Sequence, residues 1–137
     1  MPDQLRLECR LEELDRASEW LGARLGLLAV PDDTAFAVRL CVEEALANVV
    51  THGFEEEDDG APILLGFEAH PGELKVVVED QGMAFDPLQA PAPALPTSLE
   101  DAAIGGRGIS LIKSYASRLA YERRDNANVL SMGFVLP

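Results

Sequence analysis

Val38, Val42, Ala45, Leu46 and Val49 recur at helical spacing, and no other feature constrains the fold of this chain as strongly. An apolar face of that width has to be buried against a second layer, so the remaining segments must supply one. The stretch opens at Pro31-Asp32-Asp33-Thr34, which reads as a helix start with a small oxygen-bearing cap and acids in the first turn. Gly53 reads as its close. Ahead of it, Gln4 to Cys9 alternates, with Leu5, Leu7 and Cys9 on one side and Arg6 and Glu8 on the other, as a half-buried strand does. From Leu11 the period lengthens. Leu14, Ala17, Trp20 or Leu21, and Leu25 mark a first helix that ends between Gly26 and Pro31.

In the second half, Ile63 to Glu68 and Leu74 to Glu79 read as strands joined by the turn His70-Pro71-Gly72-Glu73. Glu55 to Gly60 is an acidic, solvated loop. Residues 86–105 hold Pro87, Pro91, Pro93 and Pro96 and show no period, the mark of a functional lid or a disordered segment. Ile109, Ile112, Ala116 and Leu119 mark a third helix. Arg118 to Arg123 and Val129 to Leu136 close the chain as a hairpin around Asp125-Asn126-Ala127. The order is strand, two helices, two strands, loop, helix, two strands. It predicts an α+β fold, a two-layer α/β sandwich with a mostly antiparallel sheet and three helices on one face. At 137 residues the expectation is a single domain, 1–137.

Charge narrows the partners. Asp and Glu number 24 against 11 Lys and Arg, a net charge of −13. The cations are scattered singly apart from Arg123-Arg124, so a nucleic acid would be repelled. No apolar run approaches the roughly 18 residues a membrane span needs. Nor does Met1-Pro2-Asp3-Gln4 begin a secretory signal, so a soluble, cytoplasmic domain is expected. Cys9 and Cys41 are too few and too far apart for a disulfide framework or a metal site, and read as inert core thiols.

Three segments carry chemistry. Glu44, Asn48 and His52 are four residues apart and stack on one face of the second helix. A carboxylate one turn before a carboxamide offers two oxygens facing the same way, enough for a Mg²⁺ ion that takes the rest of its shell from water and phosphates. A solvated helix face is the plainer alternative. In the second segment, the apolar run Val76-Val77-Val78 breaks into Glu79-Asp80-Gln81-Gly82-Met83-Ala84-Phe85-Asp86. Asp80 at a strand end suits an exocyclic amine such as that of adenine, and Gly82 lets a flat ring approach the backbone. An ordinary Asp-x-Gly turn is the alternative there. In the third, Gly105-Gly106-Arg107-Gly108 leads straight into an amphipathic helix. Free N–H groups at such a helix start, beside the Arg107 charge, suit phosphate. A hinge for the preceding loop is compatible with the same residues.

In this order, Glu44-x-x-x-Asn48, Asp80-x-Gly82-x-Ala84-Phe85-Asp86 and Gly105-Gly106-x-Gly108-Ile109 resemble the three boxes of the GHKL ATP-binding superfamily. Within it the chain is most similar to the stand-alone anti-sigma factor serine/threonine kinase group of bacterial partner-switching systems. That likeness rests on Asn48 followed by Thr51-His52-Gly53-Phe54, and on Tyr121-Glu122-Arg123-Arg124-Asp125 with Asn128-Val129-Leu130. It runs from Leu5 to Leu136. The resemblance implies a Bergerat-type fold with Mg-ATP between the helical layer and a lid over residues 86–105. It makes Asn48 the Mg²⁺ ligand and Asp80 the residue that binds the adenine amino group. Gly82 and Ala84 would line the base pocket and Phe85 would pack under the start of the lid. Gly105, Gly106 and Gly108 would cradle the phosphates, with Arg107 and Ile109 in the same nucleotide-binding loop. Glu44 would be the general base for a serine or threonine hydroxyl of a partner. Glu43 precedes it, and the four-residue spacing to Asn48 selects Glu44. His52 is expected to be a structural hydrogen-bonding residue.

By the same resemblance the phosphate acceptor is an anti-sigma antagonist, a sigma factor is a second partner, and the protein is a homodimer. The implied activity is that of an Mg-ATP-dependent serine/threonine protein kinase with anti-sigma action. The alternative is a nucleotide-gated protein-binding module with little or no phosphoryl transfer.

Overall fold

Alternation along the strands puts Ile63, Leu65, Phe67, Leu74, Val76, Val78, Leu130, Met132 and Phe134 on one face of a five-stranded antiparallel sheet, where all are buried. The structure, a computed structural model, describes residues 3–50, 62–82 and 108–136. Its strands are β1 (Asp3–Leu7), β2 (Ile63–His70), β3 (Glu73–Asp80), β4 (Arg118–Arg124) and β5 (Ala127–Val135), arranged β1-β2-β3-β5-β4. The helices are α1 (Glu13–Leu27), α2 (Asp32–Asn48) and α3 (Gly108–Tyr115). Ala17, Leu21 and Leu25 of α1, the stripe Val38, Cys41, Val42, Ala45 and Leu46 of α2, and Ile112 of α3 complete one core with the apolar strand face. Helices and sheet thus form the two layers that the order of periods predicts. Among the described residues no helix is long and apolar enough to cross a membrane.

Local chemistry accounts for the connections. The β2–β3 turn places Pro71 first and Gly72 second, with φ 79° at the glycine, the arrangement of a type II turn. The β4–β5 hairpin turns on Asp125 and Asn126 at φ 51° and 65°, a type I′ pattern suited to residues that tolerate the left-handed region. Helix α1 ends in a Schellman arrangement: the Val30 N–H donates to the Leu25 carbonyl and the Ala29 N–H to that of Gly26. Ala29 takes the left-handed position there, at φ 52°, where a Cβ is unfavourable. Replacing Ala29 by Gly is expected to stabilise the protein by about 0.5 kcal/mol, the relief of that strain less the added freedom of the unfolded chain. Urea unfolding reads the change, and a lowered midpoint would contradict it.

Three boundaries differ from the sequence reading. The first strand stops at Leu7, which pairs with Ile63, and Pro62 beyond it has no N–H to extend the ladder; Cys9 lies past the strand, half-buried. Pro31 is the N-cap of α2 and no side chain caps it, so Asp32 and Asp33 act on the helix dipole instead. Leu119 belongs to β4, opposite Met132, because α3 has already ended at Tyr115. The end of α2 at Gly53, the acidic loop and residues 86–105 lie outside the described residues.

Candidate functional site

The apolar rows of the sheet end in a polar one. Leu74 faces Phe134, Val76 faces Met132 and Val78 faces Leu130; the next pair on the same face is Asp80 and Asn128. These two, each 5% exposed, are the buried polar side chains among the described residues. Burying a carboxylate is costly unless donors surround it. Two do so here. The Asn128 side-chain amide donates to Oδ1 of Asp80 at 3.1 Å, and the backbone N–H of Gly82 donates to the same oxygen at 2.9 Å. The second bond closes an Asx turn, so the turn alternative of the sequence reading is realised. It takes one oxygen only. Among the described residues the hydrogen bonds on Asp80 fall on Oδ1.

The edge strand completes the arrangement. Arg123 sits opposite Asn128 in the β4–β5 register, so Asp80, Asn128 and Arg123 form one row across three strands. Its guanidinium donates to the Gly82 carbonyl at 2.8 Å. Tyr121, two residues earlier on the same face, donates from its hydroxyl to Oδ1 of Asn128. Burial pushes the Asp80 carboxyl up, while Asn128, the Gly82 N–H and the Arg123 charge each pull it down; burial prevails.

On α2, Glu44 and Asn48 lie one turn apart and both are half-buried. Burial raises the Glu44 carboxyl above its ordinary value, and the adjacent Glu43 charge adds to the rise. A half-dry carboxylate with a raised pKa is the state a proton acceptor needs. The helical hydrogen bonding widens to a π-type turn at Val49 and Val50, directly after Asn48. Cys41, one turn before Ala45, is fully buried and its thiol is pushed up to about 11 by burial and by Glu44, which makes it the inert core thiol expected.

Gly108 and Ile109 open α3, which packs against α2. Ala84, Phe85, Gly105, Gly106, Arg107 and His52 lie outside the described residues. Among those described, no group of three or more His, Cys, Asp or Glu side chains could hold a metal ion. The donor set on offer is thus an amide oxygen and a carboxylate on one helix face, which fits Mg²⁺ bound mainly through phosphates and water.

Residues 7–134 match the histidine kinase-like ATPase domain. The chain belongs to that family. As an ATPase domain it is an ATP-binding unit. A relative, the serine/threonine-protein kinase BtrW of Bordetella bronchiseptica, is 39% identical over 97 residues, which are 71% of this chain and 68% of the relative. The anti-sigma F factor of Clostridium novyi is 26% identical over 85 residues, 62% of this chain and 59% of that protein. A crystal structure of the RsbU and RsbW domains of a Mycobacterium tuberculosis protein superposes with a TM-score of 0.72 at 12% identity. It covers 99% of this chain and 32% of that one, and the likeness is one of fold.

Within this ATPase-domain fold, sequence reasoning placed Glu44, Asn48, Asp80, Gly82, Gly108 and Ile109 as site residues, and four of them fall on α2 or at the end of β3. It did not assign a role to Asn128, Tyr121 or Arg123. A signal was present: Asn128 is a polar residue at an inward position of an otherwise apolar alternation, Asn128-x-Leu130-x-Met132-x-Phe134. What it served was unreadable without the register that sets it against Asp80.

Proposed function

We propose that the protein is an Mg-ATP-dependent serine/threonine kinase of a partner-switching pathway, which phosphorylates an anti-sigma antagonist and also acts as an anti-sigma factor. The observation that carries the kinase reading is Glu44: a half-buried carboxyl with a raised pKa, one helical turn before the carboxamide of Asn48. In this reading Asp80 accepts the adenine amino group through Oδ2. Gly82, Ala84 and Phe85 shape the base pocket, and Gly105, Gly106, Arg107, Gly108 and Ile109 hold the phosphates. Asn48 holds Mg²⁺, which would supply neutralisation of the phosphate charge. Glu44 orients the acceptor hydroxyl and takes its proton as the γ-phosphoryl group leaves ATP. The names of the Bordetella kinase and the Clostridium anti-sigma factor support the activity and the class of partner. A homodimer, a sigma factor as second partner and a cytoplasmic location follow from the same reading, as does one domain spanning 1–137 with a lid over 86–105.

Two measurements test it. Calorimetry should find ATP bound in preference to GTP, and more weakly once Mg²⁺ is chelated. Incubation with γ-labelled ATP should move label to a serine or threonine of a purified anti-sigma antagonist domain. ATP binding with no transfer would instead establish the nucleotide-gated binding module, and equal affinity for ATP and GTP would remove Asp80 from adenine recognition.

A further inference from the structure

We propose that Tyr121 and Arg123, on the edge strand β4, are positioning residues that hold Asp80 as an acceptor and thereby set the preference for a 6-amino over a 6-oxo purine. The inference rests on the reading of Asp80 as the residue that meets the base. Neither side chain needs to touch the nucleotide. Each acts through one intermediary.

Tyr121 acts through Asn128. Its hydroxyl donates to Oδ1 of Asn128, so the amide is oriented with its NH₂ toward Asp80, to which it donates at 3.1 Å. An amide turned over would set its oxygen against a carboxylate oxygen, an arrangement relieved only by a proton on Asp80. A protonated Asp80 is a donor, and a donor suits the O6 of hypoxanthine or guanine as well as an acceptor suits the amine of adenine. By fixing the amide, Tyr121 keeps the carboxylate reading amines.

Arg123 acts through the turn. It donates to the Gly82 carbonyl at 2.8 Å, while the N–H of the same Gly82 donates to Oδ1 of Asp80 at 2.9 Å. The guanidinium thus holds the peptide whose N–H holds the carboxylate, and its charge favours the ionised, acceptor-only form. The three-strand register brings this about: Asp80, Asn128 and Arg123 are directly opposite one another on β3, β5 and β4. With Oδ1 engaged twice, the position of Oδ2 is determined, and a misplaced acceptor loses discrimination before it loses affinity for the triphosphate.

The test is the ratio of affinities for ATP and inosine triphosphate, measured by calorimetry on the full chain with Mg²⁺. Tyr121→Phe and Arg123→Met should each lower the wild-type ratio by about tenfold, the scale of one hydrogen bond to a charged group. Both should keep the wild-type far-ultraviolet spectrum. Arg123→Lys, which retains a charge and a donor for the Gly82 carbonyl, should restore most of the ratio. A merely structural role would weaken both nucleotides alike and leave the ratio unchanged, and that result overturns the proposal while the adenine reading stands. A wild-type protein with no preference between the two nucleotides overturns both.

Discussion

Glu44→Gln is expected to lower phosphoryl transfer by about 10²–10⁴-fold, the usual contribution of a positioned general base, with ATP still bound. The substitution preserves shape and removes the proton-accepting charge. It does not threaten the fold. A carboxyl whose pKa is raised on folding contributes stability that is complete below its unfolded value and lost as pH rises through its folded value, so at neutral pH the ionised Glu44 is a cost. Gln removes that cost, so the variant should melt no lower than the wild type at pH 7, which a thermal melt checks. The same rise predicts a pH profile. The acid limb of the transfer rate should lie above the ordinary carboxylate range, because burial and then Glu43 resist ionisation. Glu43→Gln, which relieves the second of these, should move the limb to lower pH. Rates for Glu44→Gln equal to wild type at saturating ATP would show that another group takes the proton.

Asp80→Asn is expected to weaken ATP binding by about 10-fold to 100-fold, the cost of removing an acceptor from a buried charged hydrogen bond. The direction follows from which oxygen changes. Oδ1 has two donors to keep, the Gly82 N–H and the Asn128 amide, so an asparagine would place its oxygen there and turn its NH₂ into the position of Oδ2. A donor would then face the donor amine of adenine. Inosine triphosphate, with an acceptor at the same place, should lose much less, so the preference between the two nucleotides should fall or invert. Stability should move the other way. Burial raises the Asp80 pKa over the opposing effects of Asn128, Gly82 and Arg123, so the ionised carboxylate costs stability at neutral pH. Asp80→Asn should therefore melt at or above the wild-type temperature at pH 7, and the two curves should converge below the unfolded carboxylate value, where Asp80 is protonated in both states. A variant that melts lower at pH 7 and binds ATP normally would make Asp80 a structural residue of its turn. That pairing of weakened ligand and strengthened fold is what a carboxylate buried for binding should show.

The elements were legible because each carried its own period. The 3.6-residue stripe from Val38 to Leu46 and the alternation of β2, β3 and β5 survive as written, since a buried face has to be apolar wherever it packs. Boundaries were less legible because they depend on partners: the first strand ends where Pro62 has no N–H to give, and Leu119 follows the β5 register rather than the helix before it. Glu44 and Asn48 were readable from a four-residue spacing within one helix, and Asp80 and Gly82 from two residues at one strand end.

By itself, the sequence determined the order of the elements and the two-layer α+β architecture, because each element shows in its own stretch of chain the period of the face it has to bury. Tertiary structure decided that Asp80 and Asn128 are the last pair of an apolar ladder. It also decided which carboxylate oxygen the turn takes, and that Tyr121 and Arg123 reach the turn from the edge strand. Those are contacts between residues up to 48 positions apart, set by strand register, and no local pattern encodes a register.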